Sequence, residues 1–335
     1  MNKVIDYMPF LKKQEGDVGI EIEVEGANLP REVAGWRVED DGSLRGENRE
    51  YVLPKPLPQD RIKTALKRLV VTIRQADAKV LDTGYAGIHI HINVQQLTVT
   101  QMCTFAFLYY AIEDLCLHFC GEDRKGNLFC LSAGVAPYPL KAIEEALNMV
   151  DFRRLRQDKL RYASLNWKAL SEYGSLEFRG MRSTLDTDVI ESWVGLLLEL
   201  RNTAIEIDNP QRVVEMYSEL RGEGFIKAVL PTYHNLLQYD GDVNRAVERG
   251  VRSIQKVAYT VNWESFKEEM PEEKDVPPLK VAGEAFAEFL KAQREQLVLV
   301  RGAVPDPWVA VRKDVLGKPQ PAPNWLDANE PEQDI

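Results

Sequence analysis

Gly19-Ile20-Glu21-Ile22-Glu23-Val24-Glu25-Gly26 alternates acidic and aliphatic residues. Because the side chains of a β-strand point alternately to its two faces, the pattern predicts a strand with three glutamates on one face and three aliphatic residues on the other. Carboxylates about 7 Å apart on one face repel one another and raise each other's pKa. Such a face needs water, arginine or lysine, or a metal ion to compensate it, so a bound cation is the first ligand to look for.

Two later stretches repeat this design. His89 and His91 alternate with isoleucines, and Glu177 and Arg179 stand on either side of a phenylalanine. If the three strands belong to one sheet, their ionisable groups converge. Glutamate oxygens suit hard cations such as Mg²⁺, imidazole also suits Mn²⁺, and Arg179 could hold a phosphate beside them. For any one strand the alternative is a solvated polar face, but three strands of the same design together favour a site.

Apolar residues at helical spacing predict long helices between and after these strands. Thr98 and Gln101 form a predicted capping box at the start of one of them, and Gly121 ends it. Strands mixed with long helices, rather than strictly alternating with them, predict an α+β fold with an antiparallel sheet. One apolar face of the sheet would pack against helices, and the other would form an open polar surface. The predicted helices are 58–76, 98–120, 140–160, 186–208, 211–220, 243–257 and 281–299, and short strands are predicted within 36–53 and at 161–166.

Composition excludes several classes of protein. The chain has 335 residues and a net charge of -10, which argues against a general nucleic-acid surface. Four cysteines in so long a chain favour a reducing cytoplasm. The N-terminus lacks a signal-peptide pattern, and no apolar run is expected to approach the ~18 residues that span a bilayer. Walker loops, nucleophile elbows and dinucleotide fingerprints are not found in the sequence.

Several polar residues have two interpretations. Arg161 and the neighbouring Arg153, Arg154 and Arg156 bind phosphate or line a solvated helix face. Asn166 contacts a substrate or makes a hydrogen bond at the end of a strand.

Two further motifs are ambiguous in the same way. Asp41 orients an amine or makes an Asp-Gly turn, and the turn is slightly favoured. Cys116-x-His118-x-Cys120 suggests zinc, but on a helix His118 points away from the two cysteines, so buried core cysteines are favoured.

Six motifs occur in a characteristic order over roughly residues 17–205. They are Gly19-x-Glu21-x-Glu23, Asp41-Gly-Ser-Leu44, Glu50 before a Leu-Pro-x-Pro-Leu run, Gly87-x-His89-x-His91, Leu165-Asn166, and Ser175-Leu-Glu-Phe-Arg179 followed by Ser183-Thr-Leu-Asp186. Together they resemble the amidoligase family, which belongs to the glutamine synthetase and glutamate-cysteine ligase superfamily of carboxylate-amine ligases. Each motif alone is weak, and the series is more specific.

The resemblance implies a role for each matching residue. Glu21, His89 and Glu177 would hold the metal that contacts the transferring phosphate. Glu23 and Glu50 would hold a metal on the substrate side, and Arg179 would contact the phosphoryl group. The implied catalytic residues are Glu21, Glu50, Glu177 and Arg179, and the implied ATP-binding residues are Arg161, Arg179 and Asn166. His91 and Glu25 lie on the same faces but outside the family's principal ligand positions, so they are expected to support the ligands.

The resemblance also implies the architecture and the reaction. A curved antiparallel sheet like the glutamine synthetase catalytic domain would bind ATP and Mg²⁺ or Mn²⁺, and a small-molecule or peptide carboxylate would be joined to an amine through an acyl phosphate. The expected regions are a catalytic domain at 1–208, a helical extension at 209–300 packed on it, and a proline-rich, partly disordered tail at 301–335. Superfamily members often form homo-oligomers. The alternatives are a metal-dependent hydrolase using the same face and a non-catalytic nucleotide-binding relative.

Overall fold

The computed structural model describes residues 2–267, apart from the side chain of Asp123, and these residues belong to one compact unit. The helix predicted at 281–299 and the tail predicted at 301–335 lie outside the described residues. The division of the chain at residues 208 and 300 stays a prediction.

An antiparallel sheet of seven strands forms the centre of the described unit, which confirms the α+β class. The sheet order is β2-β3-β1-β5-β7-β6, and β4 lies off this path, where it pairs with the C-terminal end of β1. The strands are β1 (Val18–Ala27), β2 (Arg37–Glu39), β3 (Asn48–Val52), β4 (Lys79–Leu81), β5 (Gly87–Asn93), β6 (Leu165–Asn166) and β7 (Ser175–Arg182).

The two faces of the sheet differ as the alternation predicts. Ile20, Ile22, Ile88, Ile90 and Phe178 are each at most 1% exposed and belong to the hydrophobic core. The acidic and histidine residues between them point to the opposite face. The sheet therefore has one face packed by helices and one polar face on which a ligand could lie.

The described residues contain seven α-helices. They are α1 (Gln59–Gln75), α2 (Val99–Cys120), α3 (Tyr138–Met149), α4 (Lys168–Tyr173), α5 (Thr187–Ile207), α6 (Pro210–Val229) and α7 (Val243–Thr260). The predicted capping box at the start of α2 is present, since Gln101 N donates to Thr98 Oγ1 and Thr98 N donates to Gln101 Oε1.

Helix α2 is long and apolar enough, by length and composition alone, to cross a membrane. The expectation that no apolar stretch approaches this length is therefore wrong for this helix. However, 83% of its most apolar 18-residue window is buried inside the fold. The rings of Phe105 and Tyr109 lie 5.4 Å and 4.8 Å from the ring of Phe178 on the sheet. The apolar composition of α2 thus fits a central core helix.

The region between α3 and β7 differs from the prediction. The helix predicted at 140–160 ends at Met149, because Val150 adopts a left-handed conformation with φ of 51°. The basic residues that follow lie in two 3₁₀ turns, Phe152–Arg156 and Asp158–Tyr162, and of the predicted strand 161–166 only Leu165–Asn166 forms a strand of the sheet. Sequence periodicity also missed the short elements α4 and β4.

Helices α6 and α7 pack closely against each other and against α2. Helix α6 is kinked at Arg221 and Gly222, which have non-helical backbone angles. A Cβ atom at Gly222 would lie 2.3 Å from Asn244 Oδ1 and 3.2 Å from Asn244 Cα in α7, so a side chain here would force Asn244 to shift. The stretches predicted at 211–220 and 243–257 are helical, and the first of them extends through the kink.

Candidate active site

The register of the sheet brings the three predicted polar strands together. Glu21 in β1 pairs with His89 in β5, Glu23 pairs with Glu50 in β3, and His91 pairs with Glu177 in β7. Residues that pair across an antiparallel sheet lie side by side on the same face. The glutamates and histidines therefore form one continuous cluster on the open face.

Glu21, His89 and Glu177 form a first group of donors that could hold a metal ion. One ligand atom from each lies within 4.8 Å of the others. His89 Nδ1 is 3.1 Å from Glu21 Oε2 and 3.7 Å from Glu177 Oε1. His89 and Glu177 are buried, whereas the Glu21 side chain is 23% exposed. This group matches the three residues that the resemblance assigned to one metal.

Glu23, Glu50 and His89 form a second group of the same kind. His89 Nε2 lies 3.5 Å from Glu23 Oε1, whereas its other ring nitrogen, Nδ1, faces Glu21 and Glu177. A neutral imidazole has a single nitrogen lone pair to offer. His89 can therefore act as a ligand in one of the two groups, and the other group then relies on its carboxylates.

The two histidines determine the charge of Glu21. Burial by itself would raise the pKa of the Glu21 carboxyl, but its contacts with His89 and His91 outweigh burial and lower the pKa. His91 Nε2 lies 3.3 Å from Glu21 Oε1. Gly19 faces His91 in the register, and a Cβ atom there would be 3.3 Å from His91 Cβ, so the missing side chain gives the imidazole room beside β1.

Glu23 and Glu50 are shifted in the opposite direction. Burial raises the pKa of Glu23 even though Gly87 N donates a 2.7 Å hydrogen bond to its Oε2. Burial, followed by the negative charge of Glu21, raises the pKa of Glu50 to about 7. The protein itself thus only partly compensates the negative charge of these two carboxylates, as expected for a face that receives a cation.

Arg179 supplies a positive charge beside the first group. Its Nη1 donates to Glu177 Oε1, and its Nε donates to the carbonyl oxygen of Phe129 at 3.4 Å. Burial would raise the pKa of Glu177, but Arg179 and the two histidines lower it. Asn166 Nδ2 donates to the other oxygen of Glu177, and Asn166 Oδ1 accepts from Lys168 N. Asn166 therefore orients Glu177 and also binds the backbone of Lys168, the first residue of α4.

A cavity of about 170 Å³ opens on the same face next to Glu21 and His91. Arg37 and Lys55 line it with positive charge, and Tyr173, which is 54% exposed, forms part of its wall. The Tyr173 ring meets the His91 ring edge to face at 5.6 Å. Sequence reasoning missed these three residues, because no motif marks a side chain that faces the site only after folding.

Glu25, His91 and Asp41 make hydrogen bonds of their own around the cluster, and the supporting role expected for Glu25 and His91 stays a prediction. Glu25 Oε1 accepts from Arg45 N at 2.7 Å, and His91 Nδ1 contacts Ser175 Oγ at 3.1 Å. Asp41 Oδ1 accepts from Ser43 N at 2.7 Å, the hydrogen bond of an Asp-Gly turn, and its negative charge acts on both Glu23 and Glu50.

The remaining basic residues lie outside the cluster. Arg161 is exposed, with its guanidinium carbon 5.2 Å from the centre of the Tyr162 ring, and Arg153 pairs with Asp151. The prediction that this basic segment lies on the face of an α-helix is wrong, because the segment forms 3₁₀ turns.

The cysteine motif on α2 is part of the core. Cys116 and Cys120 are free and buried, with their pKa raised well above the usual value by burial. Among the described residues, the groups of donors close enough to share a metal ion include neither cysteine. The core interpretation of Cys116-x-His118-x-Cys120 thus fits the structure.

The donor chemistry of the cluster fits a hard divalent cation. Carboxylate oxygens with one imidazole nitrogen are the ligands that Mg²⁺ and Mn²⁺ accept, and sulfur ligands are not among the donors of either group.

Comparison with known proteins gives one family. A family model described as "Putative amidoligase enzyme" matches residues 32–201, just over half of the chain. The matched region contains β2 to β7, Glu50, His89, Glu177 and Arg179, and it begins after Glu21 and Glu23. A search of curated proteins found no match.

Proposed function

Since this chain belongs to that amidoligase family, we propose that it is an ATP-dependent ligase that joins a carboxylate to an amine. We further propose that its sheet is of the glutamine synthetase catalytic-domain type. The observation that carries the proposal is the pair of donor groups on the open face, Glu21-His89-Glu177 and Glu23-Glu50-His89, with Arg179 bonded to Glu177.

Two Mg²⁺ or Mn²⁺ ions fit the proposed arrangement. Glu21, His89 and Glu177 would hold one ion, and Glu23 and Glu50 would hold the other, which leaves His89 in a single group. When bound, the ions would neutralise the crowded phosphate oxygens of ATP and those of the acceptor carboxylate.

The side chains of the site have separate tasks in this reaction. A carboxylate is a poor electrophile, so the γ-phosphoryl group of ATP is transferred to it, and an amine then displaces phosphate from the acyl phosphate to give an amide, ADP and phosphate. Arg179 would contact the transferring phosphoryl group and stabilise its charge. Arg37 and Lys55 in the neighbouring cavity supply further positive charge for a polyanionic nucleotide.

An isotope experiment tests the reaction. The protein is incubated with ATP, Mg²⁺ and a panel of amines and ¹⁸O-labelled carboxylates. Transfer of ¹⁸O into phosphate, with ADP as the nucleotide product, supports the acyl phosphate. Formation of AMP and pyrophosphate would refute it. Turnover without ATP would favour a metal-dependent hydrolase. Binding of Mg²⁺-ATP in calorimetry without turnover would favour the non-catalytic nucleotide-binding relative, and failure to bind Mg²⁺-ATP would refute the ligase.

The wider expectations stay predictions. The carboxylate is a small molecule or peptide, the location is the cytoplasm, and a homo-oligomer is compatible with the superfamily. Size-exclusion chromatography with light scattering tests the last of these.

A further inference from the structure

Arg124 is a buried cation that the proposed reaction does not use. Its side chain is 1% exposed and belongs to the segment that follows α2. Nε donates to Gly180 O at 3.2 Å and Nη2 donates to Arg179 O at 3.0 Å, while Nη1 is buried and has no hydrogen-bond partner among the described residues. Among the side chains that the structure describes, none forms an ion pair with Arg124. Burying a guanidinium without a counter-ion is costly, so a purely space-filling role would be better served by an apolar side chain.

The two carbonyl groups that Arg124 binds belong to an irregularity in the sheet. Ile88 pairs with Met181 and Ile90 pairs with Phe178, so a single residue of β5, His89, lies opposite two residues of β7, Arg179 and Gly180. This is the arrangement of a β-bulge, which breaks the hydrogen-bonding ladder locally and redirects a side chain. Arg124 thus binds the carbonyl groups of both bulged residues.

Glycine at position 87 leaves room for this interaction. A Cβ atom there would lie 3.0 Å from Arg124 Nη2 and 3.3 Å from Met181 O. The same glycine donates its N–H to Glu23 Oε2. The start of β5 therefore connects the bulge to the second donor group.

Hydrogen bonds fix both the backbone and the side chain of Arg179. Its N–H donates to Ser164 O at 2.8 Å, and its guanidinium donates to Phe129 O and Glu177. Its carbonyl group is bonded to Arg124. We propose that Arg124 is a positioning residue that fixes the β7 bulge and thereby directs the Arg179 guanidinium at Glu177 and the phosphoryl group. The phosphoryl contact rests on the proposed function, whereas the effect on Arg179 itself does not.

Lysine is not equivalent to arginine at this position. The planar guanidinium presents Nε and Nη2 to two consecutive carbonyl oxygens at once, whereas an ammonium is a compact charge on a flexible chain. Arg124→Lys should keep the charge and loosen the bulge.

A double-mutant cycle measures this connection. The probe is Mg²⁺-AMPPNP, a non-hydrolysable ATP analogue, titrated by calorimetry into the full chain. We expect Arg124→Lys and Arg179→Lys each to weaken binding about tenfold, and the double variant to match Arg179→Lys within about twofold, because Arg124 acts through Arg179. Losses that multiply in the double variant would overturn the proposal.

Arg49 provides the matched control. It is 6% exposed, lies on β3 and also donates to a backbone carbonyl, that of Asn48. Arg49→Lys should combine with Arg179→Lys multiplicatively. If Arg124→Lys fails to fold, Gly87→Ala replaces it, since the added methyl group displaces the Arg124 guanidinium while leaving the arginine in place.

A second readout needs no ligand and so separates this proposal from the proposed function. The side-chain Nε–H signal of Arg179 is followed in ¹⁵N-labelled protein and assigned by its loss in Arg179→Lys. Arg124→Lys or Gly87→Ala should shift this signal and speed its exchange with solvent, whereas Arg49→Lys should not. If the wild type does not bind Mg²⁺-AMPPNP, the proposed function fails, and the signal alone then decides: an unchanged signal overturns the positioning role.

Discussion

Glu50 lies among other carboxylates with part of its side chain still in contact with solvent. Burial and the charge of Glu21 raise its pKa to about 7 from an ordinary value of 4.5. Between these two pH values the folded protein binds more protons at this residue than the unfolded chain does. By linkage, the free energy of unfolding falls as the pH rises through this range and is lowest, as far as Glu50 contributes, above pH 7.

Glu50→Gln should therefore stabilise the metal-free protein at pH 8. The expected gain in the free energy of unfolding is about 1 kcal/mol, reduced from the full shift because the side chain is partly exposed. Urea unfolding in EDTA at pH 8 and pH 5 measures it, and the gain should shrink at pH 5. Glu39→Gln is the control, because Glu39 pairs with Glu50 across the sheet but is exposed. An equal gain in both variants would show that burial of Glu50 is not the cause.

Glu21 and Glu177 differ from Glu50, because the pKa of each of these two carboxyl groups is lowered. The histidines lower the pKa of both, and Arg179 also lowers that of Glu177. Glu21→Gln and Glu177→Gln should lose at least about 100-fold in ATP-dependent turnover and bind Mn²⁺ more weakly, while the circular dichroism spectrum stays native.

Mn²⁺ titration followed by electron paramagnetic resonance checks the metal arm of this prediction without any substrate. Glu47→Gln, at an exposed loop position, serves as the control and should bind Mn²⁺ like the wild type. Undiminished Mn²⁺ binding by Glu21→Gln would remove Glu21 from the ligand set.

Helix α2 contains a buried acid, Glu113, that connects the helix to two other parts of the fold. Glu113 Oε2 accepts from Ala133 N at 2.8 Å, and Glu113 Oε1 accepts from Ser164 Oγ. Ser164 O in turn accepts from Arg179 N. The helix thus anchors the loop after it and, through Ser164, the edge of the strand that carries Arg179. Burial raises the pKa of Glu113 to about 7 despite these hydrogen bonds.

Glu113→Gln should increase the free energy of unfolding at pH 8 by up to about 3 kcal/mol, since glutamine preserves one acceptor for Ala133 N and offers a donor to Ser164. Because the folded pKa is raised, the wild type loses this stability as the pH rises from about 4.5 to about 7, and the variant should lack that slope. Denaturant unfolding between pH 5 and pH 8 tests it, with exposed Glu145→Gln as the control. A slope that persists in Glu113→Gln would mean that other groups cause it.

At the scale of the whole molecule, the cluster joins strands β1, β3, β5 and β7, so a bound cation would link most of the sheet. An ion that binds the folded state alone stabilises it by about 2.7 kcal/mol at 100 times its dissociation constant. We expect the unfolding temperature to rise with added Mg²⁺ or Mn²⁺ in the wild type and to stay constant in the double variant Glu21→Gln/Glu23→Gln. Differential scanning calorimetry tests this, and an equal rise in the double variant would place the ion elsewhere.

Features that depend on neighbouring residues in the chain can be predicted from the sequence. The alternation around Glu21, His89 and Glu177 predicted the polar face, because the direction of a side chain along a strand is a local property. The helix after Thr98 was predicted from its cap and its apolar content for the same reason. The sequence pattern predicts that the helix continues through the basic segment after Met149. The structure ends it there because Val150 adopts a left-handed conformation that its residue type does not indicate.

The alternation along the sequence predicts which side chains of each strand share its polar face and which face the core. The contacts of the folded chain place His89 between two donor groups, Tyr173 and Lys55 beside the neighbouring cavity, and Arg124 at the bulge beside Arg179. The first kind of fact depends on residues one or two positions apart. The second depends on strand register and on loops folded against strands far away in the chain, and no local pattern encodes those contacts.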